Sequence, residues 1–208
     1  MNLRRYILAA LVVVVTIPAL LSYATQTAPT TVPTEPGSEE AIAIFAGGCF
    51  WCMEPPFDKL PGVKATISGY TAGRIENPTY KQVSKGRTGH TEAVKIVYDP
   101  NVISYEQLLE VFWVNVDPFA IDRQFCDRGS QYRSGIYYLD DSQRQLAEAS
   151  RAGVMARFEK PVATEVDAAD TFWPAEDYHQ DYYMKNPYQY KFYRFNCGRD
   201  KRLSSIWG

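Results

Sequence analysis

Ala41-Ile42-Ala43-Ile44-Phe45-Ala46-Gly47-Gly48-Cys49-Phe50-Trp51-Cys52 is the segment on which the reading of this chain turns. The short apolar run Ala41 to Ala46 ends at a glycine pair, which reads as a buried strand entering a turn with unusual backbone angles. A helix is expected next. Proline is tolerated in a first helical turn but breaks an interior, so Pro55 and Pro56 put that first turn close to Cys52 to Pro55. Gly47 to Cys52 then lies at a helix N-terminus, where the positive end of the helix dipole favours a thiolate.

Outward from this junction, Val63 to Tyr70 and Thr91 to Tyr98 alternate as strands do. Ser104 and Gln107 make a capping box ahead of Leu108, Leu109 and Phe112. Arg133 to Leu139 reads as a strand, Asp141 to Phe158 as an amphipathic helix and Val162 to Val166 as another strand. Strands and helices interleave, and some connections are too short for helical crossovers. The expectation is therefore an α+β fold around a mixed sheet.

Toward the N-terminus, Arg4 and Arg5 precede an apolar run from Tyr6 to Leu21, followed by small residues at Ser22 and Ala24. This reads as residues 1–24 forming a signal peptide cut after Ala24, or an uncleaved membrane anchor interrupted by Pro18. Both readings export the domain, to the periplasm or to the outer side of the membrane. Residues 25–40, rich in Thr, Pro, Ala, Glu and Ser, have too little apolar surface to repay the entropy of ordering and read as a disordered linker. The folded domain is expected over residues 41–208. At 208 residues, with 46% hydrophobic and 22% charged residues, the chain is sized for one globular domain. A net charge of -2 without a basic cluster excludes a nucleic-acid surface.

Cys49 and Cys52 admit several roles: a reactive thiol pair, a structural disulfide in an exported chain of four cysteines, or a thioredoxin-like dithiol. Zinc is disfavoured, because Cys126 and Cys197 stand alone and only His90 and His179 could add ligands. Glu92 shares a strand face with Val94, Ile96 and Tyr98, so its carboxyl group would be desolvated and able to hold a donatable proton at neutral pH. Its other reading is an ion pair with Arg87. The polar loop Cys126 to Ser134 brings Asp127 and the Tyr132 hydroxyl toward a strand end, unless it is a turn with solvated charges. Tyr80 falls in the first turn of a short helix after Asn77-Pro78-Thr79.

From about Ala41 to about Asn186 the chain resembles class A peptide methionine sulfoxide reductases. The matching stretches are Gly47-Gly48-Cys49-Phe50-Trp51, Gly69-Tyr70-Thr71-Ala72-Gly73, Asn77-Pro78-Thr79-Tyr80, Gly86 to Val94 (Gly-Arg-Thr-Gly-His-Thr-Glu-Ala-Val), and Gln131-Tyr132-Arg133-Ser134. The resemblance implies a two-layer α/β sandwich with a ferredoxin-like core. It implies that Cys49 attacks the sulfoxide sulfur, that Phe50 and Trp51 hold the substrate methyl group, and that Glu92 protonates the oxygen. Tyr80 and Tyr132 would hydrogen-bond that oxygen and Asp127 would orient the site. It further implies preference for the S epimer, free or in proteins, no metal or organic cofactor, and regeneration by a thioredoxin-type reductant after a cysteine sulfenic acid has become a disulfide.

Many family members carry glycine at the position of Cys52, which makes Cys52 the first candidate for the resolving thiol. Cys197, in Phe195-Asn196-Cys197-Gly198, is a candidate second relay or simply a free thiol. Nothing in the motif asks for sulfur at Cys126. Two rival classes remain open: a general thiol-disulfide oxidoreductase in which Glu92 is incidental, and a non-catalytic exported binding domain that uses its 15 Tyr and 10 Phe as a protein-binding face.

Overall fold

The computed structural model describes residues 40–208; residues 1–24, expected to direct export, and all but the last residue of the linker expected over 25–40 lie outside the described residues. The strands are β1 (Ala41–Gly47), β2 (Val63–Thr71), β3 (Thr91–Tyr98), β4 (Arg123–Gln124), β5 (Asp127–Arg128), β6 (Ser134–Tyr138), β7 (Glu165–Ala168) and β8 (Trp173–Pro174). The helices are α1 (Phe50–Asp58), α2 (Tyr80–Val83), α3 (Tyr105–Val114), α4 (Asp141–Phe158), α5 (Tyr182–Lys185), α6 (Pro187–Asn196) and α7 (Arg199–Trp207). A 3-10 turn at Ser130–Tyr132 leads into β6.

Six strands form one sheet in the order β7-β6-β1-β3-β2-β8, antiparallel throughout except for the parallel pair β6 and β7. Its centre, β6-β1-β3-β2, is built from the succession strand, helix, strand, strand, helix, strand, which is the ferredoxin-like arrangement. Alternation along the strands sorts the side chains between two faces. Ala43, Phe45, Val94, Ile96 and Ile136 meet Phe50, Met53 and Phe57 of α1, Leu108, Leu109 and Phe112 of α3, and Ala147 and Val154 of α4. Phe45 is at the middle of this layer, with its ring 5.1 Å from Phe112 and 5.7 Å from Phe57. Removing such a buried ring typically costs about 3–5 kcal/mol. The opposite face carries a smaller cluster of Ile44, Ala46, Ala93 and Tyr137, with Phe172 packed against it.

Helix α1 begins at Phe50, two residues earlier than the prolines suggested. Cys49 is its N-cap, and Pro55 and Pro56 lie inside it. With this start the helix buries Phe50, Met53 and Phe57 in the main core. The strand expected at Val162 to Val166 is shifted to Glu165–Ala168, since the Ala163 amide donates to Pro118 O at 2.6 Å rather than to the sheet. The Ser104–Gln107 capping box closes in both directions, at 3.3 and 2.9 Å. The hairpin β4–β5, strand β8 and helices α5 to α7 had no counterpart in the sequence reading.

The turn between β1 and α1 is locked from two sides. Gly48 has φ +82°, and a Cβ there would lie 2.5 Å from Gln124 Cβ. Gln124 is itself fixed by donating to Asp117 O and accepting from Asp117 N, both at 2.8 Å. From α7, buried Arg199 donates to Gly47 O (3.2 Å) and Asn115 O (2.6 Å) and stacks on Phe125.

Candidate active site

The locked turn presents Cys49 at the rim of the sheet, 7% exposed, with Cys52 one helical turn on and 1% exposed. Strand β3 runs antiparallel to β1 and ends its helix-facing row at Glu92, opposite Tyr70 of β2. Glu92 is 2% exposed and accepts the Phe50 amide at 3.1 Å, while Arg87 is exposed. Hairpin β4–β5 supplies Asp127, and the 3-10 turn supplies Tyr132. That turn is stapled to β3 by Thr91, whose hydroxyl reaches Gln131 O and Arg133 O at 3.3 and 3.2 Å. Tyr80 opens α2, with its amide donating to Glu176 at 2.9 Å. Cys49, Phe50, Trp51, Tyr80, Glu92, Asp127 and Tyr132 thus converge on one small cavity of about 60 Å³, together with Tyr193 from α6. Its size suits the end of one side chain rather than a cofactor-sized molecule.

Burial pushes Glu92 up to about 8, against the lowering effect of the Phe50 N–H. The carboxyl group therefore keeps its proton through neutral pH. Burial likewise raises Tyr80 to about 12 and moves Tyr132 upward, so both hydroxyls are donors. For the cysteine pair the balance differs from the expectation drawn from the helix dipole. Burial, the adjacent Cys52 and the carboxyl groups of Glu92 and Asp127 push Cys49 up. Cys52 is lowered to about 6, because it accepts from the Cys49 thiol and feels the guanidinium groups of Arg199 and Arg194.

Three contributors escaped the sequence reading. Tyr193 donates a short hydrogen bond to Asp127, interacts with Cys49 and meets Trp51 edge-on. As one of 15 tyrosines it carried no signal of its own. His179, 1% exposed, accepts the Trp51 indole N–H at 3.0 Å through Nδ1 and packs against Phe50 and Tyr80. Burial lowers it to about 4, so it is a neutral acceptor that fixes the indole plane, which also stacks on Tyr182 at 3.6 Å. The scarcity of histidine, two in the chain, was its available signal. Cys126, for which no role was expected, forms a disulfide with Cys197, so Cys197 is not a free thiol here. Cys126, Asp127 and Cys197 bring their ligand-type atoms within 4.8 Å of one another, but the two sulfurs are bonded together and offer no thiolate to a metal.

The family model described as Peptide methionine sulfoxide reductase matches residues 41–208. The chain belongs to the peptide methionine sulfoxide reductase family. Peptide methionine sulfoxide reductase MsrA of Listeria innocua is 52% identical over 167 residues, covering 79% of this chain and 94% of its own length. The protein of the same name from Bacillus subtilis is 49% identical over 172 residues, covering 82% and 97%. Among solved structures, methionine sulfoxide reductase A of Corynebacterium diphtheriae superposes with TM-score 0.66 at 34% identity, covering 73% of this chain and 77% of that one. Reduced Mxr1 of Saccharomyces cerevisiae superposes with TM-score 0.70 at 28% identity, covering 74% and 90%. The chain is a thiol-dependent oxidoreductase that reduces methionine sulfoxide.

His179→Leu leaves the half-buried indole N–H of Trp51 without its acceptor, a loss of about 0.5–1.5 kcal/mol. His179→Asn retains an acceptor near the Nδ1 position. The leucine variant is expected to raise KM for a methionine sulfoxide peptide several-fold, with the asparagine variant close to wild type. Equal KM values in the two variants would remove His179 as the residue that sets the indole.

Proposed function

We propose that this domain reduces the S epimer of methionine sulfoxide, free or within proteins, with Cys49 as nucleophile and Cys52 as resolving thiol. The observation that carries the reading is the shared cavity: a cysteine sulfur, a carboxylic acid that holds its proton at neutral pH, two tyrosine hydroxyls and an aromatic wall surround one side-chain-sized space. The methyl group of the substrate lies against Phe50 and Trp51, where no hydrogen bond is lost. Cys49 attacks sulfur as its proton passes to Cys52. Glu92 protonates the departing oxygen, and Tyr80 and Tyr132 stabilise the charge that develops on it. Asp127, held by Tyr193, orients the far side.

Water then attacks Cys49 sulfur and breaks its bond to the substrate sulfur, so the net first step converts the Cys49 thiol and the sulfoxide into a sulfenic acid and methionine. Cys52 then displaces the sulfenic oxygen as water, giving the Cys49–Cys52 disulfide. A thioredoxin-type dithiol restores the thiols; the yeast neighbour Mxr1 has been solved in complex with Trx2, which supports a partner of that class. The same reading assigns the domain to the exported side of a membrane, whether periplasmic or tethered. Supporting this, Arg4 and Arg5 precede the apolar run 6–21, and the family match begins only at residue 41. The reductant must then lie on that side as well.

Single-turnover reaction of the full chain with separate S and R epimers tests the assignment. Methionine is expected from the S epimer alone and from no epimer in Cys49→Ser, whereas turnover of the R epimer, or activity retained in the variant, would refute it.

Because the folded Glu92 pKa lies above its ordinary value, the acid is present below about pH 8 and lost above it. The rate constant kcat/KM is expected to fall as pH rises through about 8. Glu92→Gln keeps an acceptor for Phe50 N–H but has no proton to give, so it should lower kcat by about 10²–10⁴ and flatten that alkaline limb. An unchanged limb in the variant would assign it to another group.

A further inference from the structure

We propose that Glu176 is a positioning residue for the reaction, the tether that holds the Tyr80 hydroxyl where the sulfoxide oxygen arrives. The inference rests on the role given to Tyr80 above. Tyr80 opens α2, a helix of only four residues. So short a helix is little more than one unpaired first turn and depends on outside contacts for its placement. Its capping box is local: the amide and hydroxyl of Thr79 both donate to Gln82 Oε1, at 2.8 and 2.9 Å. The far end of α2 is anchored by buried Val83 and by Ser84 O, which accepts from Gln131 at 3.0 Å. The near end, which carries Tyr80, is held across 96 residues of chain by the bond from the Tyr80 amide to Glu176 Oε1.

The second oxygen of Glu176 accepts the Tyr70 hydroxyl at 3.0 Å. Tyr70 is fully buried, lies opposite Glu92 in the sheet and packs its ring 5.9 Å from that of Phe50. One carboxylate thus ties the start of α2 to the strand beside the acid. Glu176 makes no ion pair among the described residues, so these two donors are what its charge serves. Burial raises its pKa, but the Tyr80 amide, its own amide and the Tyr70 hydroxyl together hold it below the ordinary value, so it is ionised at neutral pH. Bonds to an ionised acceptor are the stronger kind. The segment that carries Glu176 is itself fixed to β2. The Ala175 amide donates to Ser68 O at 2.8 Å, and Gln180 accepts from Ser68 N and donates to Ser68 O, both at 2.9 Å. His179, between them, packs its ring 4.4 Å from that of Tyr80. Residues 175–180 therefore grip Tyr80 at its backbone through Glu176 and at its ring through His179.

A donor aimed at developing charge acts only when it is in place, and a misplacement of about 1 Å can cost about 10²-fold in rate. Without Glu176 the first residue of α2 loses its backbone anchor while Cys49, Glu92 and the aromatic wall keep theirs. The loss therefore falls on the rate of oxygen departure and not on the binding of the methyl group.

The test is the rate of methionine formation in a single turnover of the reduced full chain, measured against the concentration of an S-methionine sulfoxide peptide. Tyr80→Phe is expected to lower the limiting rate about 10- to 100-fold. Glu176→Ala should lower it about tenfold, with the half-saturating concentration within about threefold of wild type. Glu176→Gln keeps an oxygen for the Tyr80 amide and should recover most of that loss. In a Tyr80→Phe background Glu176→Ala should cost nothing further, because the hydroxyl it places is gone. Losses that multiply in the double variant, or a Glu176→Ala rate equal to wild type, would overturn the tether. A Tyr80→Phe rate equal to wild type would instead overturn the role of Tyr80 beneath it. Should Glu176→Ala fail to fold, Tyr70→Phe removes one anchor of the carboxylate and keeps the buried ring; it should give a smaller loss alone and none with Tyr80→Phe, and a loss that persists there would overturn the tether equally.

Discussion

The Phe50 amide donates to the Glu92 carboxyl group across the junction of β1, β3 and α1, and much of the site is arranged around that contact. The amide is one of the donors that a helix leaves unpaired at its N-terminus, and the carboxyl group is at the end of a strand row otherwise filled by Val94, Ile96 and Tyr98. Each solves a problem for the other: a buried donor gains an acceptor, and a buried acid gains one donor but not enough to ionise. The outcome is a neutral acid beside a cysteine. The geometry depends on Gly48, since only a residue that accepts φ +82° without a Cβ can bring the strand end onto Gln124 and aim the helix at Glu92.

Around this contact the protein places apolar material on one side and donors on the other. Trp51 is held by three neighbours, His179 through its indole N–H, Tyr182 by stacking and Tyr193 by its edge. Arg199 reaches back from α7 to Gly47, so the last helix braces the turn that carries the nucleophile. The C-terminal helices are therefore part of the site as well as a cover over it.

Much of this was legible in the sequence because it follows from short-range patterns. Alternation placed Glu92 on the core-facing row of β3, the glycine pair marked the turn, and Ser104 with Gln107 marked the start of α3. The onset of α1 was misjudged because local proline chemistry was weighed without the three aromatic and aliphatic side chains that this helix buries. The thiol electrostatics were misjudged for a similar reason. A helix N-terminus lowers a cysteine pKa when nothing else acts, whereas here burial and two carboxyl groups oppose it at Cys49 and two arginines from distant chain act on Cys52. Cys126, Tyr193, His179 and Arg199 belong to the site through contacts across 66 to 152 residues of chain, which no local pattern encodes.

The central claim is that Cys49 receives the oxidation and Cys52 resolves it. Its most direct test is peptide mass mapping after one equivalent of S-methionine sulfoxide is given to chain in which Cys126–Cys197 is intact, with free thiols alkylated at once. The account predicts a Cys49–Cys52 disulfide and no alkylation at either position; Cys49 left as a sulfenic acid, with Cys52 still alkylated, would contradict it.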